Sequence, residues 1–208
     1  MALQTFVKIS NITNLSDARY CAGMGVDLLG FSMDADAPDY VDPKRFADIR
    51  QWVAGVQIVG ETSSTNPETI ETLLETYQPD VLQVDESALL PHLVPFGKPL
   101  LLRIDLTHST LEQLTAICAT THEHVAYFLL ESRAPLHLDD DLKTALFQLA
   151  QTYPILLGAG IAADTVKTLL TELPVRGIAL RGGDEDRPGS KDFGALMDVL
   201  EILVIDNE

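Results

Sequence analysis

The chain has few basic residues, few cysteines and no long hydrophobic run. Its 208 residues include 14 lysines and arginines against 31 aspartates and glutamates, so the formal net charge is −17. A surface this acidic repels phosphate backbones and anionic membranes, and we therefore expect neither nucleic acid nor a membrane as a partner. No charged leader precedes an apolar stretch, and no apolar run approaches the length that crosses a bilayer. These features predict a cytoplasmic protein.

Other absences narrow the class of protein further. No segment rich in proline, glycine and serine divides the chain, so residues 1–208 are expected to form one domain. The first strand–helix loop lacks the G-x-G-x-x-G fingerprint of dinucleotide folds, and no cofactor is expected. His122 and His124 alone are poor evidence for a metal, so no metal ligands are assigned. Cys21 and Cys118 have small or apolar neighbours, which favours buried reduced thiols over a disulfide.

Short apolar runs alternate with longer segments of helical period about eight times. The runs are rich in valine, isoleucine and leucine, which is typical of strands buried on both faces of a parallel sheet. Units of roughly 25 residues fit a closed α/β barrel of the (β/α)8 (TIM) type better than an open doubly wound sheet. The predicted strands are Phe6–Ile9, Leu28–Ser32, Val56–Val59, Val81–Val84, Leu100–Ile104, Ala126–Leu130, Ile155–Leu157 and Gly177–Leu180. The predicted helix starts lie at Asn14 or Ser16, Asp42, Asn66, Ser87, Ser109, Asp139, Asp164 and near Asp192.

Carboxylates follow most of the predicted strands, at the end of the barrel where such folds carry out chemistry. Five of the first six strand ends carry one, from Asp34, Glu61, Asp85, Asp105 and Glu131. Like charges that converge in one mouth raise one another's pKa or recruit a divalent metal, an amine or a sugar polyol. The alternative, common for loop residues of an acidic protein, is that these carboxylates point separately to water.

The last two strand ends are rich in glycine instead. Gly160 follows the seventh predicted strand, and Gly182 and Gly183 follow Arg181 after the eighth. Without a Cβ, the backbone can approach an anion closely, and these two loops form the usual phosphate site of (β/α)8 barrels. Arg181 can add a charge-assisted contact. The pattern favours a site for a phosphorylated small molecule, although the same glycines can also serve only to make tight turns.

The sequence resembles the phosphoribosylanthranilate isomerase family. The most specific segment is Val7–Ala18, and further similar segments follow in the family's order at Gly25–Phe31, Ala37–Val41, Asp80–Val84, Leu129–Glu131, Gly158–Ile161 and Pro188–Asp192. The resemblance implies a (β/α)8 barrel, present as a monomer or a homodimer. It also implies an Amadori rearrangement in tryptophan biosynthesis, which opens an N-linked phosphoribosyl group into a ketose.

The resemblance places different side chains at several catalytic positions of that family. Ser10 stands where the family has a cysteine as general base, and Glu131 stands where it has an aspartate as general acid. Asp39 replaces the arginine that holds the anthranilate carboxylate, and Asp85 replaces a histidine. A serine hydroxyl is far less acidic than a thiol, and an aspartate repels a carboxylate where an arginine attracts it.

The phosphate end of the family's site is retained by resemblance, because Gly160, Gly182 and Gly183 match glycines whose amides hold the phosphate. The expected function is therefore that of a divergent or impaired homologue that binds a phosphorylated small molecule. Three alternatives remain open at this point. The first is a working isomerase with Glu131 as acid and Asp85 as base. The second is a metal-dependent enzyme that uses the acidic mouth, and the third is a non-catalytic binding or interaction barrel.

Overall fold

The computed structural model describes residues 2–132, 134, 136–183, 185–187, 190–191 and 194–205. Eight parallel strands close into a barrel in chain order, with the first strand paired to the eighth, so the predicted (β/α)8 barrel is confirmed. The strands are β1 Phe6–Ser10, β2 Leu28–Ser32, β3 Gln57–Glu61, β4 Val81–Val84, β5 Leu100–Asp105, β6 Tyr127–Glu131, β7 Ile155–Gly158 and β8 Gly177–Arg181. A short antiparallel pair, β9 Glu185–Arg187 and β10 Ser190–Lys191, follows the barrel.

Helices alternate with these strands around the outside of the barrel. They are α1 Leu15–Met24, α2 Pro43–Arg50, α3 Pro67–Tyr77, α4 Leu90–Leu93, α5 Leu111–Thr121, α6 Asp140–Thr152, α7 Val166–Glu172 and α8 Gly194–Leu203. The side chains of Asn14, Asp42, Asn66 and Asp139 cap their helices by accepting backbone N–H hydrogen bonds, as predicted.

Other predicted helix starts are shifted or untested. Thr110, one residue after the predicted position, caps α5 with a capping box to Gln113. The segment after β4 forms a 3-10 turn before the single turn of α4. Asp192, near which the last helix was expected, lies outside the described residues, as do Pro188 and Gly189 of the family resemblance. None of the helices in the described ranges is long and apolar enough to cross a membrane.

The apolar core has two parts, separated by the barrel wall. The larger part fills the space between strands and helices and contains both cysteines. Burial raises the pKa of Cys21 and Cys118 to about 12, so both thiols are protonated at neutral pH. The smaller part forms a floor inside the barrel, made of Leu28, Val59, Val81, Leu101, Leu129, Leu156 and Ala179.

Several strands are longer at their carboxyl ends than the sequence predicted. Ser10, Glu61, Asp105, Glu131 and Arg181 are the last residues of their strands and were predicted to lie in loops. A polar residue at the end of an apolar run normally signals a loop. In a barrel, however, the last strand residue can keep its ladder hydrogen bonds while its side chain faces the open mouth. The sheet thereby fixes the backbone positions from which these five side chains extend.

Candidate active site at the barrel mouth

A layer of polar side chains lies directly above the apolar floor inside the barrel. Successive side chains of a strand point to opposite faces, so the residue two positions after a floor residue also points inward. By this rule Glu61, Gln83, Arg103 and Glu131 follow the floor residues of β3, β4, β5 and β6. A cavity of about 560 Å³ opens above this layer and is lined by residues from several strand ends. The fold thus places the candidate site where barrels of this type bind small molecules.

Lys8, Ser10 and Glu61 form a compact hydrogen-bonded cluster on the β1–β3 side. The side chain of Lys8 is 0% exposed, and its Nζ donates to Oε1 of Glu61 at 2.5 Å. The Ser10 hydroxyl donates to the same oxygen at 2.8 Å and also accepts a hydrogen bond from Lys8. A buried ammonium requires such a partner, because desolvation of an unpaired charge is costly. Glu61 faces the cavity, whereas Ser10 and Lys8 lie beneath it.

A glycine makes room for this cluster. On Gly30 of β2, an added Cβ would lie 1.9 Å from Oε1 of Glu61 and 3.2 Å from Nζ of Lys8. The Glu61 carboxylate therefore occupies the space in front of β2 that a side chain would otherwise fill. Lys8 was not among the predicted site residues, although a lysine between two buried residues of an apolar strand, Val7 and Ile9, is a signal for a buried ion pair.

Arg103 joins two of the predicted carboxylates on the opposite side of the mouth. Its Nε donates to Oδ1 of Asp85 at 2.8 Å, and its Nη2 donates to Oδ2 of the same residue. Its Nη1 donates to Oε1 of Glu131 at 3.2 Å. Burial disfavours the charged guanidinium, but the hydrogen bond and charge of Asp85, with the charges of Glu131 and Glu61, outweigh it and raise the pKa of Arg103. Arg103 was not among the predicted site residues.

The loop after β2 supplies two further carboxylates. Oδ2 of Asp39 lies 3.4 Å from Nη2 of Arg181, whose side chain is 55% exposed. Asp34 accepts hydrogen bonds from the Thr62 hydroxyl at 2.5 Å and from the backbone and hydroxyl of Ser63 at 2.7 and 2.8 Å. Asp34 therefore ties this loop to the end of β3 through neutral donors.

Four of the five predicted rim carboxylates line the same cavity, namely Asp34, Glu61, Asp85 and Glu131, and Asp39 lines it as well. They converge and are largely engaged by other side chains, so the interpretation that they point separately to water is wrong for them. Asp105 instead lines a neighbouring cavity of about 420 Å³. Burial opposes its ionisation, but hydrogen bonds from Thr107 and His108 outweigh this effect and lower the pKa of Asp105.

The glycines predicted to bind phosphate have structural roles of their own. Gly160 has a φ of +69°, and an added Cβ would lie 2.8 Å from Leu138 Cδ1. The N–H of Gly182 donates to the Ser10 carbonyl at 2.9 Å. The Asn11 side chain donates to the carbonyls of Gly182 and Gly183 at 2.8 and 3.3 Å. These contacts fix the loop after β8, and the predicted phosphate role of the three glycines stays a prediction.

A second cavity of about 500 Å³ continues from the mouth towards α7 and α8. It shares Gly158, Ala179, Leu180 and Arg181 with the mouth cavity. Arg181 therefore faces both spaces, and its predicted contact with an anion stays a prediction. In the part of the chain that the structure describes, no group of three or more histidine, cysteine, aspartate or glutamate side chains is arranged to hold a metal ion.

These features define the chain as a (β/α)8 barrel with a charged, ligand-sized mouth. No family model matches the sequence. The chain is nevertheless similar to curated N-(5'-phosphoribosyl)anthranilate isomerases, which confirms the resemblance seen in the sequence. It is 26% identical over 212 residues to the Synechococcus protein, covering 95% of this chain and 90% of that one. It is 29% identical over 214 residues to the Thermosynechococcus vestitus protein, covering 96% and 90%.

Solved structures agree with this similarity at the level of the fold. Phosphoribosylanthranilate isomerase from Thermotoga maritima matches with a TM-score of 0.80 and 20% identity over 96% of this chain and 98% of that one. Another matching isomerase structure, with a TM-score of 0.78, is a complex with reduced 1-(o-carboxyphenylamino)-1-deoxyribulose 5-phosphate. A third contains monomers generated from the dimeric T. maritima enzyme.

Proposed function

We propose that this protein is a divergent homologue of phosphoribosylanthranilate isomerase that binds a phosphorylated small molecule in the barrel mouth. We further propose that it turns over phosphoribosylanthranilate slowly or not at all. The similarity to curated isomerases over 95% of the chain supports the first part. The observation that supports the second part is that the Asp39 carboxylate lines the mouth. By the resemblance, this residue takes the place of the family's arginine.

The effect of Asp39 on an anthranilate carboxylate can be estimated. Two like charges about 4 Å apart repel by roughly 4 kcal/mol at an effective dielectric constant of about 20. Arg181 lies 3.4 Å from Asp39 and offsets part of this repulsion. Even about half of the estimate corresponds to a loss of affinity of roughly 30-fold, in addition to the lost attraction of the family's arginine.

The base and acid positions support the same conclusion. The Ser10 hydroxyl donates a hydrogen bond to Glu61 and accepts one from Lys8, and it is a much weaker acid than the thiol that the family uses. At the acid position, Oε1 of Glu131 accepts a hydrogen bond from Arg103. An oxygen that accepts from a guanidinium carries no proton to give, so proton donation would require the other oxygen.

The alternatives have less support from the geometry. Asp85 is a poor candidate for a replacement base, because both of its carboxylate oxygens accept hydrogen bonds from Arg103. A metal-dependent reaction lacks a suitable ligand cluster in the described ranges. A barrel that serves only for binding is compatible with the same cavity, and the experiment below separates it from an enzyme.

The proposal is tested by a steady-state assay with phosphoribosylanthranilate beside a thermal-shift titration with ribose 5-phosphate. We expect turnover that is weak or absent. We also expect stabilisation by the phosphorylated ligand of about 2.7 kcal/mol at a hundred times its Kd, or roughly 5–10 °C for a chain of this size. Normal turnover by the unmodified protein would contradict the proposed impairment. If no phosphorylated ligand shifts the melting temperature, the likeness to isomerases extends to the fold alone.

A variant that restores the family's residues sharpens the test. Ser10→Cys with Asp39→Arg is expected to raise turnover above that of the unmodified protein, because it supplies a thiol and a carboxylate clamp. Ser10→Cys with Asp36→Arg is the matched control, since Asp36 is an exposed residue of the same loop and its reversal gives the same change in net charge. An equal rise in both variants would mean that the clamp position is unimportant.

A further inference from the structure

Gln83 lines the mouth and carries a buried side-chain oxygen that has no partner among the described residues. Its side chain lies on β4 two positions after the floor residue Val81, is 4% exposed and lines the mouth cavity. Its Oε1 accepts no hydrogen bond from any described residue. A buried acceptor left in this state is unfavourable, and a ligand with a hydrogen-bond donor would satisfy it.

The charges of the described residues that line the mouth do not balance. These residues include five carboxylates, and the described cations beside them are Arg103 and Arg181 in the lining with Lys8 beneath Glu61. Among these described residues, five negative charges against three positive ones leave an excess of two negative charges. Part of the excess lies on Asp34, which accepts hydrogen bonds only from neutral donors among the described residues.

The unsatisfied acceptor and the excess charge lie on the same side of the mouth. Gln83 is the direct register partner of Glu61 in the β3–β4 ladder, and Asp85 follows it by two residues. A group that binds to Gln83 therefore enters a mouth lined by carboxylates, with Asp85 two residues further along the same strand, and a carboxylate or phosphate there would meet repulsion. The favourable group is a cationic donor, which offers hydrogen bonds to an amide oxygen and to carboxylates at once.

We propose that the mouth binds a phosphorylated polyol that carries a protonated amine, with the amine against Gln83 and the carboxylates of the mouth. This inference rests on the proposed phosphate binding and adds the chemical class of the rest of the ligand. The amine provides three donors on a compact cation, which matches one amide oxygen and nearby carboxylate oxygens. A divalent cation fits less well, because no described group of three acidic or histidine ligands is arranged to hold one.

The test compares three sugar phosphates by calorimetry at about pH 6.5, where an amine of this kind is largely protonated. Glucosamine 6-phosphate is the probe. Glucose 6-phosphate lacks the amine, and in N-acetylglucosamine 6-phosphate the nitrogen belongs to an uncharged amide. We expect the probe to bind at least about tenfold more tightly than either comparison compound, the effect of one charge-assisted hydrogen bond. Equal or weaker binding of the probe would overturn the inference.

Variants of Gln83 assign the preference to this position. Gln83→Leu is expected to reduce the preference for the amine to less than about threefold, whereas Gln83→Glu is expected to increase it. Gln57→Leu is the matched control, because Gln57 is exposed at the opposite end of β3 and should leave the preference unchanged. Retention of the full preference in folded Gln83→Leu, or a weaker preference in Gln83→Glu, would contradict the proposal.

The result also separates this inference from the proposed function. If ribose 5-phosphate and glucose 6-phosphate bind as well as the probe, the barrel binds phosphate esters and only the amine preference is refuted. If none of these compounds binds, the phosphate site itself is refuted, and the inference fails with it.

Discussion

The ion pair between Lys8 and Glu61 allows a quantitative test of the charged layer inside the barrel. The Lys8 side chain is 0% exposed and that of Glu61 is 13% exposed, with 2.5 Å between Nζ and Oε1. Removal of one partner from a buried pair leaves the other charge desolvated and costs about 3–5 kcal/mol. We therefore expect Lys8→Met to cost about 3 kcal/mol, because Glu61 keeps the Ser10 hydroxyl and some access to the cavity. Glu61→Leu should cost more, about 5 kcal/mol, since the ammonium of Lys8 has no such access.

The double variant is the informative member of the cycle. Replacing a whole buried pair with apolar side chains of similar volume is often neutral or stabilising. We expect Lys8→Met with Glu61→Leu to lie within about 2 kcal/mol of the unmodified protein, which corresponds to a coupling energy of at least about 6 kcal/mol. Urea denaturation followed by circular dichroism measures all four free energies of unfolding.

A surface pair of the same residue types provides the control. Lys143 and Glu172 lie 3.1 Å apart with side chains 35% and 46% exposed. Exposed pairs contribute at most about 1 kcal/mol, so Lys143→Met with Glu172→Leu should show a coupling energy below that value. If the two mutations at Lys8 and Glu61 are additive, or their coupling is as small as on the surface, the reasoning about a buried, mutually compensating pair is refuted.

Three further perturbations test other parts of the fold. Gly30→Ala should destabilise the protein by about 1–3 kcal/mol by displacing the Glu61 carboxylate. The same substitution should cost much less when it is added to Glu61→Ala and compared with Glu61→Ala alone; an undiminished cost in that background would refute the assigned clash. Cys21 and Cys118 should not react with a thiol reagent at about pH 8 in the native protein, because burial raises the pKa of each thiol to about 12. Both should react after unfolding. Rapid labelling of the native protein would contradict their burial. The pKa of Asp105 is lowered by its hydrogen bonds, so its contribution is present at neutral pH and lost as the pH falls through that pKa. Asp105→Asn should accordingly be slightly less stable at neutral pH and equal to the unmodified protein in acid, as urea denaturation at several pH values would show.

The fold and its local signals could be predicted from the sequence because they are encoded in short segments. The caps at Asp42 and Asn66, each followed by proline, need only the few residues that they contact. The apolar runs likewise identify buried parallel strands without knowledge of their partners. The ends of the strands were less accessible, since a polar residue such as Glu61 that faces a barrel mouth has the same local sequence signature as a loop residue.

The partners of the charged side chains could not be predicted in the same way. Lys8 pairs with a carboxylate 53 positions away, and Arg103 pairs with carboxylates 18 and 28 positions away. No local pattern specifies these distances, which depend on the order and stagger of strands in the closed barrel. Lysine or arginine within a buried strand is a usable signal that a partner exists, but only the fold identifies it.

The ion pairs of Lys8, Arg103 and Arg181 also divide the mouth into two regions of different binding chemistry. On the β3–β6 side, Lys8 and Arg103 are already occupied by Glu61, Asp85 and Glu131, so an incoming anion would have to break strong buried pairs to find a cation. On the β8 side, the Arg181 side chain is more than half exposed, and its ion pair with Asp39 is long at 3.4 Å. An anion can therefore bind Arg181 at small cost. A ligand with a phosphate at one end and a cationic donor at the other matches both regions without disrupting a buried pair. The same division disfavours a ligand with negative charge at both ends, such as a phosphate joined to a benzoate, and this is the physical reason to expect a substrate different from that of the curated isomerases.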